Sequence, residues 1–234
     1  MRRQRHFIPP LLLLLAAASA LSLPAPPERV RVGILVYDGV YNTEFVAPLD
    51  VFHHAATLSN GRLEVFTIAP TFGRVTTAEG LRIFPDYSFT TTPPIDWLVV
   101  PSGKNYRSDV ENPSLVAWIR QVGSKAKVVH SNCWGAFLLG AAGLLDAKQA
   151  TTYPASLDEF ARRFPQVTVR RDQRLVDDNN VVTSAGGVVS YDAALYLVEK
   201  YLGTELARKV AAGLVIDWDA RRRHYQAAAT GSGR

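Results

Sequence analysis

Cysteine is almost absent from this 234-residue chain: Cys133 is the only one, and Met1 is the only methionine. One cysteine cannot close an internal disulfide. The thiol is therefore a buried small hydrophobe, an intermolecular link or a reactive group. With no second cysteine and five scattered histidines, a structural zinc site has no ligand set. Past the leader no long apolar run remains, so nothing there asks for a bilayer. The chain also lacks a repeat with a period of about 20–50 residues, and no Pro-, Gly- or Ser-rich linker divides residues 30–220. Charged residues are 20% and hydrophobic ones 47%, with Gly at 16 and Pro at 14. That composition excludes a disordered, collagen-like or coiled-coil chain. It suits one core, hence one domain over residues 30–220.

What is present begins with a leader. Arg2, Arg3 and Arg5 precede an uncharged apolar run from Leu11 to Ala18, and Ala18-Ser19-Ala20 is a small-x-small cleavage site. This is the pattern of a secretory signal peptide over residues 1–20, with a second cut as late as about Ala25. The run is too short to cross a bilayer, which takes about 20 residues. No cysteine follows the cut, which argues against a lipoprotein. The expectation is an exported protein, periplasmic or secreted, with no stable membrane insertion after cleavage. Of 26 basic side chains the leader removes three arginines, leaving 23 against 21 acidic ones, a balance of +2. The pI of about 9.4 thus overstates the case for nucleic acid, and no such partner is expected. Arg221-Arg222-Arg223-His224 reads as part of a flexible, solvated tail over residues 221–234.

Apolar, β-branched runs predict buried strands at Val30–Tyr37, Leu63–Ala69, Asp96–Pro101 and Lys127–Asn132. Shorter strands are expected at Val167–Val169, Arg174–Val176 and Val181–Ser184, and a hairpin over Val75–Phe89. Helices are expected from Asn42 or Thr43, as cap, to about Ala56, and at Pro113–Val122, Trp134–Ala142, Leu157–Phe164, Ser190–Leu202 and Thr204–Val215. Strands alternating with helices predict an α/β fold with a mostly parallel central sheet and helices on both faces.

In such sheets, sites lie beyond the carboxyl ends of the strands. Three loops qualify: those after Tyr37, Pro101 and Asn132. The third carries Cys133 between a strand and a helix, with small Ser131 and Gly135 at −2 and +2. That is the cysteine counterpart of the G-x-S-x-G elbow. A helix N-terminus is expected to lower the thiol pKa, and the thiolate is the reactive form. The first loop supplies Glu44, in an otherwise apolar stretch. It reads either as a carboxylate favoured by the helix dipole or as one that faces inward and needs Cys133 as a partner. Among the histidines, His130 reads as a hydrogen-bonded core residue, His53 and His54 as solvated, and His224 as tail. Trp97, Trp118 and Trp218 fit packing, and Trp134 either lines a pocket or covers the sheet edge. Asp192 reads as a structural cap.

Five blocks then carry a resemblance. They are Glu44 with Pro48-Leu49-Asp50-Val51-Phe52; Val99-Val100-Pro101-Ser102-Gly103; Cys133-Trp134-Gly135-Ala136-Phe137-Leu138-Leu139; Ala150-Thr151-Thr152-Tyr153-Pro154; and Thr183-Ser184-Ala185-Gly186-Gly187 with Asp192. In this order and spacing, from about Val30 to Trp218, the chain resembles the ThiJ/PfpI family. That family lies within the class I glutamine-amidotransferase-like superfamily and includes the Parkinson-associated deglycase and isonitrile hydratases. The resemblance implies a flavodoxin-like three-layer sandwich and a homodimer. It implies that Cys133 is the elbow cysteine, that Glu44 touches its sulfur, and that the Gly103 and Trp134 amides form an oxyanion hole. Tyr153 stands where many members have a histidine. A tyrosine hydroxyl ordinarily titrates near 10, so it is a poor base at neutral pH. It is expected to line the pocket and donate a hydrogen bond. This departure argues against peptidase chemistry.

Two readings of function follow. One is a cysteine-dependent hydratase or hydrolase/lyase acting on a small-molecule electrophile, an isonitrile or a glyoxal, with no metal or organic cofactor. The other is a member of the family that binds a ligand without turnover or senses redox state through its thiol.

Overall fold

The computed structural model describes residues 29–222; the expected leader, and the basic tail from residue 223, lie outside them. In chain order the elements are β1 (Val30–Leu35), α1 (Asn42–Leu58), β2 (Leu63–Ala69), β3 (Val75–Thr76), β4 (Arg82–Ile83), β5 (Tyr87–Ser88), β6 (Trp97–Val100), α2 (Tyr106–Asp109), α3 (Pro113–Gly123), β7 (Val128–Asn132), α4 (Gly135–Ala141) and β8 (Gln149–Ala150). A 3-10 turn at Pro154–Ser156 leads into α5 (Leu157–Arg163), β9 (Thr168–Val169), β10 (Leu175–Asp178), β11 (Val181–Ser184), α6 (Val189–Leu202) and α7 (Thr204–Gly213).

Seven strands form the main sheet in the order β10-β11-β7-β6-β1-β2-β5. Every neighbouring pair is parallel except β10 with β11. Ile34, Leu98, Val99 and Val182 are wholly inaccessible to solvent. This is why the central strands read as continuous apolar runs: both faces are covered. Helices α1, α6 and α7 pack on one another, and α3 packs on α4. The helix-flanked, mostly parallel sheet is the expected sandwich. Among the described residues no helix is long and apolar enough to cross a membrane.

Pro113 opens α3 as expected, and Asn112 caps it by accepting hydrogen bonds from the Ser114 and Leu115 amides at 3.1 and 3.2 Å. Four local readings need correction. Tyr41, not Asn42 or Thr43, is the N-cap of α1, and it caps without a side-chain bond. The expected hairpin over Val75–Phe89 closes only at β3 and β4; Tyr87 and Ser88 leave it to extend the main sheet beside β2. Asp192 is no cap. It is 2% exposed in the first turn of α6 and ion-paired with Arg221. Arg221 and Arg222, counted with the loose tail, are tied by ion pairs to Asp192 and Glu199 of α6 and to Asp219.

Candidate active site

The site is built where β7 ends. Cys133 has φ 55, the left-handed region that a non-glycine residue enters at a cost on the order of 1 kcal/mol. Its amide donates to the Ser184 carbonyl at 2.9 Å, which docks the elbow on the end of β11. The glycines explain how this turn fits. A Cβ on Gly135 would run into the Val100 carbonyl, so the second residue after the cysteine must be glycine. Gly186 has φ +81, and a Cβ there would overlap the Cβ of Cys133 and sit 2.8 Å from Glu44 Oε1. The Gly186 backbone thus threads between the two candidate groups.

Glu44 faces inward, 5% exposed in the first turn of α1. Its Oε1 accepts from the Gly187 amide at 2.9 Å and its Oε2 from Ser190 Oγ at 2.9 Å. Both oxygens are thus held by other groups, and among the described residues no hydrogen bond joins the carboxylate to the sulfur. Its backbone is held as firmly. Pro48 lies inside α1, four residues on, and has no N–H to give the Glu44 carbonyl. That carbonyl instead accepts from Asn132 Nδ2 at 2.9 Å, and Asn132 Oδ1 accepts from Ser184 Oγ at 2.7 Å. The proline opens a helical hydrogen bond, and the residue before the cysteine fills it. Burial raises the Glu44 pKa, and the Gly187 and Ser190 hydrogen bonds partly offset that rise.

Cys133 is 6% exposed, and its thiol is pushed up to about 12. Burial is the main cause and the negative charge of Glu44 the next; the Ser102 hydroxyl and the Trp134 amide pull the other way. The expected lowering by a helix N-terminus is not met. Desolvation and a like charge outweigh the start of the seven-residue α4.

The Trp134 amide hydrogen-bonds the Cys133 sulfur. The Gly103 amide donates to no group among the described residues. Its neighbours are tied back in a bridge to Val40, with Tyr41 N to Ser102 O at 3.0 Å and Lys104 N to Gly39 O at 2.8 Å. Gly103 is glycine because a Cβ would press on the Tyr37 ring and Asp109 Oδ2. It does not line the cavity in front of the cysteine, whereas Cys133, Glu44, Trp134 and Tyr153 all do. That cavity has a volume of about 460 Å³, and Tyr41, Arg174 and the Gly186–Val189 backbone complete its wall.

Trp134 lines the pocket. Its ring stacks on Tyr106 at 4.3 Å, meets Tyr153 edge-on at 5.3 Å, and donates Nε1–H to Ser156 Oγ at 2.7 Å. Tyr153 is 42% exposed and makes no hydrogen bond with the cysteine, whose carbonyl accepts from Thr152 Oγ1 at 2.8 Å. His130 is a core histidine, 1% exposed. Its Nδ1 bonds the Val182 carbonyl at 3.0 Å, and burial pushes its pKa down to about 4, so it is neutral. Trp97, Trp118 and Trp218 are packed in the core. Among the described residues no cluster of His, Cys, Asp or Glu forms a metal cage. Sequence reasoning gave no role to Ser190, Asn132, Ser102 or Arg174. Only Pro48, four residues after Glu44, signalled the Asn132 contact.

A left-handed cysteine between a parallel strand and a helix, with a buried carboxylate across one glycine, defines a nucleophile-elbow α/β protein. Residues 30–200 match the DJ-1/PfpI family. An isonitrile hydratase from Pseudomonas putida is 30% identical over 181 residues, 77% of this chain and 76% of that protein. The HTH-type transcriptional regulator CdhR from Pseudomonas aeruginosa is 29% identical over 154 residues, 66% of this chain and 45% of the regulator. The crystal structure of a ThiJ/PfpI family protein from Pseudomonas syringae superposes with a TM-score of 0.74 at 25% identity, covering 86% of this chain and 84% of that one. The chain belongs to the DJ-1/PfpI family.

Proposed function

We propose that this protein is an exported, homodimeric, cysteine-dependent hydratase or hydrolase/lyase acting on a small electrophile, an isonitrile or a glyoxal. The observation that carries this reading is Cys133 at the elbow, opening with Glu44 onto one small cavity. The hydratase relative supports the substrate class. A thiol held near 12 does not react as a standing thiolate, so the proton must leave as the sulfur attacks. Glu44 is the group placed to take it. With an isonitrile, sulfur bonds the terminal carbon and Glu44 returns the proton to that carbon, giving a thioimidate. Water then adds to the same carbon, the C–S bond breaks, nitrogen and sulfur are left protonated, and an N-substituted formamide departs. With glyoxal, sulfur bonds one carbonyl carbon and the thiol proton passes to its oxygen, giving a hemithioacetal; the proton on that carbon then moves through an enediol to the second carbon, leaving a thioester that water hydrolyses to glycolate and the free thiol. The Trp134 amide stabilises negative charge developing beside the sulfur.

The alternative is ligand binding without turnover, favoured by Tyr153 at the histidine position and by the regulator among the relatives. Redox sensing is disfavoured, because oxidation follows thiolate character. Mass spectrometry decides between catalysis and binding. Wild type converts cyclohexyl isonitrile to its formamide, or glyoxal to glycolate, and Cys133→Ala does neither. Folded wild type that converts neither compound leaves the binding reading. N-terminal sequencing of the exported protein is expected to begin after Ala20 or a nearby small residue, and an intact Met1 in the cytoplasm overturns export.

A further inference from the structure

The cavity wall holds one carboxylate, Glu44, and one cation, Arg174. The two differ in every respect that matters for a ligand. Glu44 is deep, and both its oxygens are satisfied. Arg174 is exposed, at the mouth, and its guanidinium makes no hydrogen bond or ion pair among the described residues. Its neighbours are not like this. Arg170 pairs with Asp172 and bonds Gln149, and Arg171 pairs with Asp158 at 2.6 Å. Nor is the position of Arg174 loose. Its carbonyl accepts from the Ala185 amide at 2.8 Å, next to the Gly186 that abuts the cysteine. An arginine anchored by its backbone to the elbow, facing the cavity with no carboxylate of its own, is a fork for a carboxylate that arrives with a ligand.

We propose that Arg174 is a specificity-determining residue that recognises an anionic group, so that the preferred electrophile is small and carries a carboxylate, as in an isonitrile of an amino acid. The polarity of the cavity fixes the orientation. The reacting carbon points inward to Cys133 and the carboxylate outward to Arg174, away from Glu44. The aromatic walls from Tyr41, Trp134 and Tyr153 leave the ends to do the discriminating. This inference rests on the proposed electrophile chemistry for its substrate, but its test does not need turnover.

Because Cys133 is the only cysteine, alkylation reports on this site alone. With iodoacetate or iodoacetamide, sulfur bonds the CH2 carbon, iodide leaves, and the thiol proton passes to buffer. The iodoacetate-to-iodoacetamide rate ratio is expected to exceed that of N-acetylcysteine by about fivefold, the scale of one partly solvated ion pair. Arg174→Gln removes the excess and Arg174→Lys retains part of it. A wild-type ratio equal to that of N-acetylcysteine, or an unchanged ratio in Arg174→Gln, overturns the proposal. If neither reagent enters, calorimetric titration with oxalate decides. Binding weakened about fivefold in Arg174→Gln supports the proposal; equal binding, or none to wild type, overturns it. With an intact charge preference, failure to turn over a carboxylate-bearing isonitrile as well as the two uncharged compounds sinks the enzyme reading alone.

Discussion

Which of Cys133 and Glu44 holds its proton more tightly can be read from the pH dependence of Cys133 alkylation. The thiol is held at about 12 against an ordinary 9.0. At pH 8 its thiolate fraction is then about 1000-fold below that of a free cysteine, equivalent to ~4 kcal/mol. At 6% exposure solvent screens little of this. The rate of iodoacetamide modification, followed by mass spectrometry, should therefore still be climbing at pH 10. Glu44→Gln removes the second cause of the shift, the like charge, and leaves the first, burial. The rate at pH 8 should rise roughly tenfold, one pKa unit, without reaching the free-thiol value. A half-point near 7 in wild type would refute the reasoning, because it would put the proton on Glu44 and the charge on sulfur. An unchanged rate at pH 8 in Glu44→Gln would refute it too, because the carboxylate charge would then not be holding the thiol up. Linkage gives a second measure. A folded pKa above the unfolded one contributes stability that is complete below about 9 and lost as pH rises toward 12. Cys133→Ser should flatten that alkaline loss.

Asn132→Ala leaves the Glu44 carbonyl and Ser184 Oγ buried without their partner and should cost about 3 kcal/mol in urea unfolding; adding Pro48→Ala supplies an N–H to that carbonyl and should recover about 1 kcal/mol. His130, depressed to about 4, contributes stability that is whole above about 6.5 and lost as pH falls through 4, on the order of 3 kcal/mol; acid unfolding of His130→Gln should lack this arm. Tyr153→Phe keeps the ring against Trp134 and should leave turnover within roughly tenfold of wild type; a loss as complete as that of Cys133→Ala would give the hydroxyl a proton-transfer role.

The fold was legible because its signals are local. The apolar runs at Val30–Leu35, Leu63–Ala69 and Trp97–Val100 mark strands covered on both faces. The two-residue strands were not, since pairs such as Tyr87–Ser88 gain their state from a neighbour rather than from any pattern of their own. The site divides along the same line. Cys133 stood out by its position at a strand-to-helix corner, and Glu44 by being a carboxylate in the otherwise apolar start of a helix. Ser190, 146 residues from Glu44 in sequence, could not, because a single serine in a helix carries no spacing signal. The charge state of the thiol was not legible for a related reason. A helix start argues for a lowered thiol pKa, yet the burial that reverses it comes from Gly186 and Glu44 arriving from distant segments. One local mark did point across the fold. A proline inside a helix strips a hydrogen bond from the carbonyl four residues back, and a buried carbonyl must find another donor. Here that donor is Asn132, the residue before the cysteine. Pro48 therefore ties the carboxylate's helix to the nucleophile's strand, and that joint is what keeps Glu44 beside Cys133.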